Sequence, residues 1–176
     1  MRVISGIYKH RRWDVPKSFS ARPTTDFAKE SLFNILANRI DLEDAKALDL
    51  FAGTGSISIE LLSRGCSQVV SVEKDPAHYA FICKVMETVK TDKSLPIKGD
   101  VFKYIAGCSA KFDFIFADPP YQLENLADIP DLIFEANLLA PDGIFVLEHG
   151  SKNDFKDHPR FTDMKVYGSV HFSFFK

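Results

Sequence analysis

The stretch Ala47-Leu48-Asp49-Leu50-Phe51-Ala52-Gly53-Thr54-Gly55 decides the fold of this chain. Residues 47–51 form a short apolar run typical of a buried strand, and residues 53–55 form a glycine-rich turn. Residues 57–64 follow with a helical pattern that Gly65 ends. A strand, a glycine turn and a helix in this order predict the first half of a βαβ unit.

Strand and helix patterns alternate through the residues that follow this unit. Apolar runs at residues 69–72, 95–98, 112–117 and 143–147 predict four further strands. Helical patterns lie at residues 76–89, where Asp75 and Pro76 form a cap, and at residues 130–139. Residues 163–167 and 169–175, joined at Gly168, predict a hairpin. The fold class is therefore α/β, with a mostly parallel seven-stranded sheet that ends in an antiparallel hairpin.

Before the first strand, the chain is basic. Residues 1–29 carry a net charge of +5 and the rest of the chain −7. Residues 1–24 predict a short β-hairpin arm, and residues 25–176 predict a catalytic core whose first helix begins at Thr25 or Asp26. We expect the 176 residues to form a single domain. A basic arm on an acidic body indicates an anionic partner, and a solvated basic loop is the alternative.

Composition excludes several classes of protein. Hydrophobic residues make up 45% and charged residues 26% of the chain, which is ordinary for a globular domain. No apolar run approaches 18 residues and no secretory leader is recognisable. Three scattered cysteines argue against a disulfide framework and against a zinc site. We expect a cytoplasmic monomer without a metal ion or a membrane partner.

The first candidate site is a cradle for a nucleoside ligand at the ends of the first three strands. Ligands of open α/β sheets bind outside the carboxyl ends of the strands, where Gly53 and Gly55 permit close approach to the backbone. Glu73 is placed to accept hydrogen bonds from ribose hydroxyls, and Asp100 from an adenine amine beside Val101 or Phe102. The fingerprint GxGxxG is incomplete because Ser58 takes its third glycine position. Acidic residues favour the cation S-adenosylmethionine over a phosphate; a dinucleotide site or a structural turn are the alternatives.

The second candidate site is Asp118-Pro119-Pro120-Tyr121, directly after the fourth strand. The Asp118 carboxylate and a Pro119 carbonyl held by two rigid prolines can accept both hydrogens of an exocyclic amine. The Tyr121 ring can stack on the base that carries this amine. A proline-rich structural turn is the alternative.

Together, FAGTG and DPPY resemble the motifs of S-adenosylmethionine-dependent enzymes that methylate exocyclic amines of bases. The opening residues 1–6, the segment Arg22-Pro23-Thr24-Thr25-Asp26, residues 30–34 and residues 62–65 resemble the 16S ribosomal RNA guanine-N2 methyltransferase (RsmD) family. The resemblance covers essentially the whole chain. It departs after the RPTTD segment, where the family often has a basic residue and this chain has Phe27, with Lys29 two positions later.

The resemblance implies a Rossmann-like class I methyltransferase that methylates the N2 amine of a guanine in 16S rRNA. It implies S-adenosylmethionine as cofactor, S-adenosylhomocysteine as product, and the small ribosomal subunit or an assembly intermediate as partner. The implied catalytic residues are Asp118, Pro119, Pro120 and Tyr121. The implied cofactor-binding residues are Asp49, Phe51, Gly53, Thr54, Gly55, Glu73, Asp100, Val101 and Phe102. The implied RNA-binding residues are Lys9, Arg11, Arg12, Arg22, Thr24 and Thr25.

Two other functions stay open on the sequence. An adenine-N6 methyltransferase acting on DNA or RNA also fits DPPY, although no target-recognition insertion is visible. A nucleotide-binding regulatory module without catalysis would leave Asp118 and Tyr121 dispensable. No feature explains Glu148, which ends the fifth predicted strand near the expected substrate.

Overall fold

A computed structural model describes residues 1–19 and 25–176 of the chain. The strands are β1 Lys46–Leu50, β2 Gln68–Glu73, β3 Ser94–Lys98, β4 Phe112–Ala117, β5 Leu139–His149, β6 Phe161–Tyr167 and β7 Val170–Phe175. The helices are α1 Asp26–Leu36, α2 Ser56–Ser63, α3 Pro76–Val89, α4 Val101–Gly107 and α5 Ile129–Glu135, with a 3₁₀ turn at Leu126–Asp128.

The seven strands of the described residues form one sheet in the order β3-β2-β1-β4-β5-β7-β6. β1 to β5 pair in parallel, and β7 pairs antiparallel with both β5 and β6. The order reverses between β1 and β4, which is the switch point where doubly wound sheets bind ligands. The predicted fold class is therefore confirmed. We call the side where β1 to β5 end the carboxyl edge of the sheet.

Two apolar cores cover the two faces of the sheet. One core packs α1, α2 and α3 against alternate residues such as Ala47 and Phe114. The other packs α4 and α5 against the intervening residues, such as Leu48 and Ile115. Because both faces are covered, the central strands are nearly continuous apolar runs, and this pattern made them recognisable in the sequence.

Several boundaries differ from those predicted. α4 was not predicted, because only seven residues form it and its apolar pattern is short. The last predicted helix, residues 130–139, ends at Glu135, and the fifth strand begins at Leu139 rather than residue 143. The predicted caps of α1 and α3 are confirmed: Thr25 Oγ1 accepts from Ala28 N at 3.2 Å, and Asp75 caps α3 ahead of Pro76.

The N-terminal arm, residues 1–19, is packed on the body of the protein. Its two predicted strands are joined by one isolated antiparallel bridge, Arg2 to Arg12. The arm covers the outer side of α2, where the buried Glu60 carboxylate accepts from Ile4 N at 2.8 Å and Ser5 N at 3.0 Å. Seven of the eight α2 residues are consequently buried, Glu60 among them.

Candidate active site

The loop between β1 and α2 is held in a left-handed backbone conformation at three residues. The φ angles are +60° at Phe51, +55° at Gly53 and +74° at Gly55. A Cβ added at Gly55 would lie 3.1 Å from the Ile82 side chain of α3, so this position requires glycine twice over. At Gly53 the nearest atom to such a Cβ is 3.9 Å away, so the loop faces open space there. Phe51 carries the same conformation without being glycine, a strain typical of binding loops.

Glu73, at the end of β2, holds this loop by accepting a hydrogen bond from its backbone. Its Oε2 accepts from Gly53 N and its Oε1 accepts from Asp75 N, each at 2.7 Å. A carboxylate has about four acceptor positions. Glu73 is therefore able to hold the loop and still accept hydrogen bonds from ligand hydroxyls at the carboxyl edge.

Asp49 lies inside the first core rather than at the open rim. Its side chain is 1% exposed, and it accepts from Ser58 Oγ, which also lies 2.7 Å from Ser71 Oγ. Burial raises the pKa of Asp49 from 3.8 to about 7, because the charged carboxylate is poorly solvated there. Thr54 is also buried, at 8% exposure, as is Glu73.

Asp100 caps α4, the helix that follows β3. Its Oδ1 accepts from Phe102 N at 3.0 Å and Lys103 N at 3.2 Å, while Lys74 Nζ lies 3.6 Å from Oδ2. These backbone hydrogen bonds, led by that from Lys103, hold the pKa of Asp100 below its usual value. The Phe102 ring packs edge-on against Phe51 with centroids 6.2 Å apart, whereas Val101 is buried in the second core. The structure thus brings Phe51 and Phe102 together.

Asp118-Pro119-Pro120-Tyr121 leaves the end of β4 beside this loop. The Asp118 N–H donates to Leu50 O at 3.3 Å, one residue before the loop begins. Pro119 is buried and Pro120 is exposed, and the Pro120 carbonyl accepts from Leu123 N at 2.9 Å. The two predicted sites therefore meet at the same point of the carboxyl edge.

Glu148 is the residue that sequence reasoning left without a role. It is 4% exposed and accepts a hydrogen bond from the Tyr121 hydroxyl at 2.9 Å. The only signal in the sequence was an acidic residue near the end of an otherwise apolar strand, and its partner lies 27 positions earlier.

The basic residues of the arm lie along α2 and α3. The arm turn packs on Ser63, the last residue of α2, and Arg11 Nη1 donates to the carbonyl of Thr88 near the end of α3, at 3.2 Å. Helices that connect parallel strands run opposite to them, so these helix ends lie toward the other edge of the sheet. Lys9 is exposed there, whereas Arg12 is exposed beside Arg2, which Lys29 joins to the start of α2. Thr25 caps α1. Arg22 and Thr24 lie outside the described residues.

Lys29 is fully buried and does not face solvent. Its Nζ donates to Arg2 O at 2.5 Å and to Ser56 Oγ at 2.9 Å, and lies 3.9 Å from a Glu60 carboxylate oxygen. Burial lowers the pKa of Lys29 despite this acidic neighbour. Lys29 thereby ties the arm to the start of α2.

The residues at the cradle fit S-adenosylmethionine by their chemistry. Glu73 and Asp100 offer carboxylate acceptors at adjacent strand ends, where ribose hydroxyls and an adenine amine need them. Phe51 and Phe102 offer an aromatic surface, and the backbone at Gly53 is uncrowded. In the described part of the chain there is no group of three metal-ligating side chains, and no described helix is long and apolar enough to span a membrane.

The sheet order, the glycine loop and the DPPY segment together define a Rossmann-like methyltransferase fold. The family model Cons_hypoth95, "Conserved hypothetical protein 95", matches residues 1–176. The chain belongs to this family, whose curated members include the RsmD proteins.

Named relatives agree with this assignment. The chain is 31% identical to "Ribosomal RNA small subunit methyltransferase D" of Escherichia coli K12 over 97% of its own length and 86% of that protein. It is 37% identical to "Putative rRNA methyltransferase YlbH" of Bacillus subtilis over 85% of its length and 82% of that protein.

A solved structure extends the likeness to three dimensions. The structure entitled "Putative methyltransferase yhhF from Escherichia coli" superposes with a TM-score of 0.88 at 29% identity, covering 99% of this chain and 96% of that one.

Proposed function

We propose that this protein transfers a methyl group from S-adenosylmethionine to the N2 amine of a guanine in 16S rRNA of the small ribosomal subunit. The observation that carries the proposal is the hydrogen bond from Asp118 N to Leu50 O, which joins the DPPY segment to the start of the glycine loop. An amine held by Asp118 would then lie beside a methyl donor held on that loop. The names of the two curated relatives support ribosomal RNA as the substrate.

The cofactor, when bound, supplies a methyl group on a positively charged sulfur that is already a good leaving group. Phe51 and Phe102 face its adenine, Glu73 accepts from its ribose, and Asp100 accepts from its adenine amine. Asp49 contributes from below by shaping the loop through Ser58. Binding energy in this cradle fixes where the methyl group points.

The DPPY segment orients the acceptor. The Asp118 carboxylate and the Pro119 carbonyl each accept one hydrogen of the guanine amine, which turns the nitrogen lone pair out of conjugation and toward the methyl group. Tyr121 stacks on the guanine, which must leave its own helix to reach the site. Preorganised acceptors of this kind need no reorganisation during the reaction.

Asp118→Ala should reduce methyl transfer at least about 100-fold, since one oriented polar group at a reacting centre contributes roughly 3 kcal/mol. The assay supplies labelled S-adenosylmethionine with small subunits from cells lacking this gene, and nuclease digestion identifies the methylated nucleoside. Affinity for the cofactor, measured by calorimetry, should change only a few fold because Asp118 faces the amine.

The exposed Asp157 provides a matched control, and Asp157→Ala should transfer methyl groups normally. Near-normal turnover by Asp118→Ala would contradict the amine grip. With DNA and protein pools supplied in parallel assays, label in DNA or RNA adenine would favour the N6 alternative. No label in any of these pools would favour a module without catalysis.

A further inference from the structure

Tyr121 is held at its hydroxyl by Glu148. The hydroxyl donates to Glu148 Oε1 at 2.9 Å, and the Glu148 side chain is almost fully buried. Glu148 lies on β5, between β4 and β7, where its backbone is paired with the buried Phe172. The acceptor therefore belongs to a paired strand of the sheet, whereas Tyr121 belongs to a loop.

Tyr121 is also held at its ring. A Cβ added at Gly150 would lie 3.0 Å from Tyr121 Cδ2, so the ring packs directly on the backbone of residue 150. The peptide at this position is itself fixed, because His149 Nδ1 lies 2.8 Å from the Gly150 carbonyl oxygen. The other nitrogen of His149 lies 2.8 Å from the Ser173 hydroxyl on β7.

We propose that Glu148 is a positioning residue that, with the backbone of Gly150, holds the Tyr121 ring in the orientation that receives the target base. This inference rests on the proposed function, in which Tyr121 stacks on the flipped guanine. A tyrosine side chain rotates about two bonds. Contacts at its hydroxyl and at its ring restrict rotation about both. A preordered ring loses less entropy when a base stacks on it, so the ordering should strengthen RNA binding.

A tyrosine hydroxyl forms a stronger hydrogen bond with an ionised carboxylate than with a neutral amide. A neutral amide at the same position would still accept from the hydroxyl, but more weakly. Alanine would remove this acceptor and leave the Tyr121 hydroxyl without the hydrogen bond to residue 148. The proposal therefore predicts a graded series, with Glu148→Gln milder than Glu148→Ala.

The kinetic test uses the full chain, small subunits from cells lacking this gene, and labelled S-adenosylmethionine. Glu148→Ala should raise the KM for subunits about 10-fold and change kcat less than about 3-fold. Tyr121→Phe should raise the KM by a similar factor. The double variant should have no higher KM than either single variant, because both substitutions remove the same hydrogen bond. Glu135→Ala, which removes an exposed glutamate on α5, is the matched control and should leave both constants unchanged.

A second measurement is independent of activity. With the tyrosine rings isotopically labelled, NMR should show the Tyr121 ring signals, assigned by their absence in Tyr121→Phe, shifted and more mobile in Glu148→Ala. They should keep nearly their wild-type shifts in Glu148→Gln. Calorimetric affinity for S-adenosylmethionine should be unchanged in both variants.

The outcomes separate the inference from the function it rests on. Additive losses in the double variant, a loss confined to kcat, or unchanged ring signals in Glu148→Ala would overturn the positioning role. A wild-type protein that methylates no RNA would overturn the proposed function, while the NMR comparison would still decide whether Glu148 orders the ring. If Glu148→Ala does not fold, the KM values of Glu148→Gln, Tyr121→Phe and their double variant test the same contact.

Discussion

At the scale of single residues, Asp49 shows how burial alters an acid beside the glycine loop. Its carboxylate lies under α2 with Ser58 as hydrogen-bond donor, and its pKa rises to about 7 because water is excluded. A native-state pKa above the unfolded value of 3.8 means that the folded protein binds the proton more tightly. Asp49 therefore makes the protein less stable as the pH rises from about 4 to about 7.

We predict that Asp49→Asn removes this pH dependence, because asparagine keeps the shape and does not ionise. The free energy of unfolding of the variant minus that of the wild type should rise with pH by up to about 1.4 kcal/mol per pH unit between about pH 4 and 7. It should level off above pH 7. Urea unfolding at several pH values measures this difference, in which other titrating groups cancel. A difference independent of pH would contradict the raised pKa.

At the scale of elements, the arm and α2 stabilise each other. α2 has eight residues, too few to be stable alone, and most of its surface is buried between the sheet and the arm. The side chains of Glu60 and Ser63 accept hydrogen bonds from backbone N–H groups of the arm, and Lys29 joins the arm to the start of the helix. The element that carries the glycine loop is thus covered by the first residues of the chain.

Gly6 is where this docking is tightest, and Gly6→Ala should release the arm. The residue has φ +82°, and an added Cβ would lie 1.7 Å from the Ser63 carbonyl oxygen, so the arm has to move. We expect a local loss of about 1–2 kcal/mol, which would speed tryptic cleavage at Arg11 and Arg12 roughly 5–30-fold. Gly107→Ala is the control, since nothing lies within 4 Å of its added Cβ. Equal cleavage rates in the two variants would show that the arm is not held at Gly6.

At the scale of the whole molecule, the exposed basic residues of the arm lie along α2, whereas Asp118 and Tyr121 lie at the carboxyl edge of the sheet. Lys9 is exposed near the end of α2, and Arg12 is exposed beside Arg2, which Lys29 joins to the start of this helix. An RNA that reaches both must extend along the α2 and α3 side of the protein. A structured RNA, held by phosphates at one end and giving up a base at the other, meets this requirement.

The variant with Lys9→Glu and Arg12→Glu should bind small subunits more weakly and with less dependence on salt. Loss of two phosphate contacts lowers the slope of log affinity against log salt concentration by about 1–2. Filter binding at several salt concentrations measures the slope, and cofactor affinity should stay unchanged. Lys111→Glu with Lys176→Glu changes the charge equally at other exposed positions and should leave the slope close to that of the wild type. An equal fall in slope for both pairs would mean that only net charge matters.

The sequence by itself determined the class of fold and the positions of both candidate sites. Parallel strands buried on both faces are nearly continuous apolar runs, so residues 47–51 and 112–117 were recognisable without any structure. Caps such as Thr25 and Asp75 are local hydrogen-bonding patterns, so the starts of α1 and α3 were predicted correctly. Parallel strands end at one edge, which is why residues 53–55 and 118–121 could be expected to meet.

Only the tertiary structure decided which residues distant in sequence contact one another and which are buried. The partner of Tyr121, the burial of Asp49 and Lys29, and the docking of the arm on α2 each depend on chain segments brought together by packing. No local pattern encodes such contacts, because a side chain's exposure depends on what covers it. For that reason Asp49, which was expected at the cofactor, lies inside the core, and the arm is packed against α2.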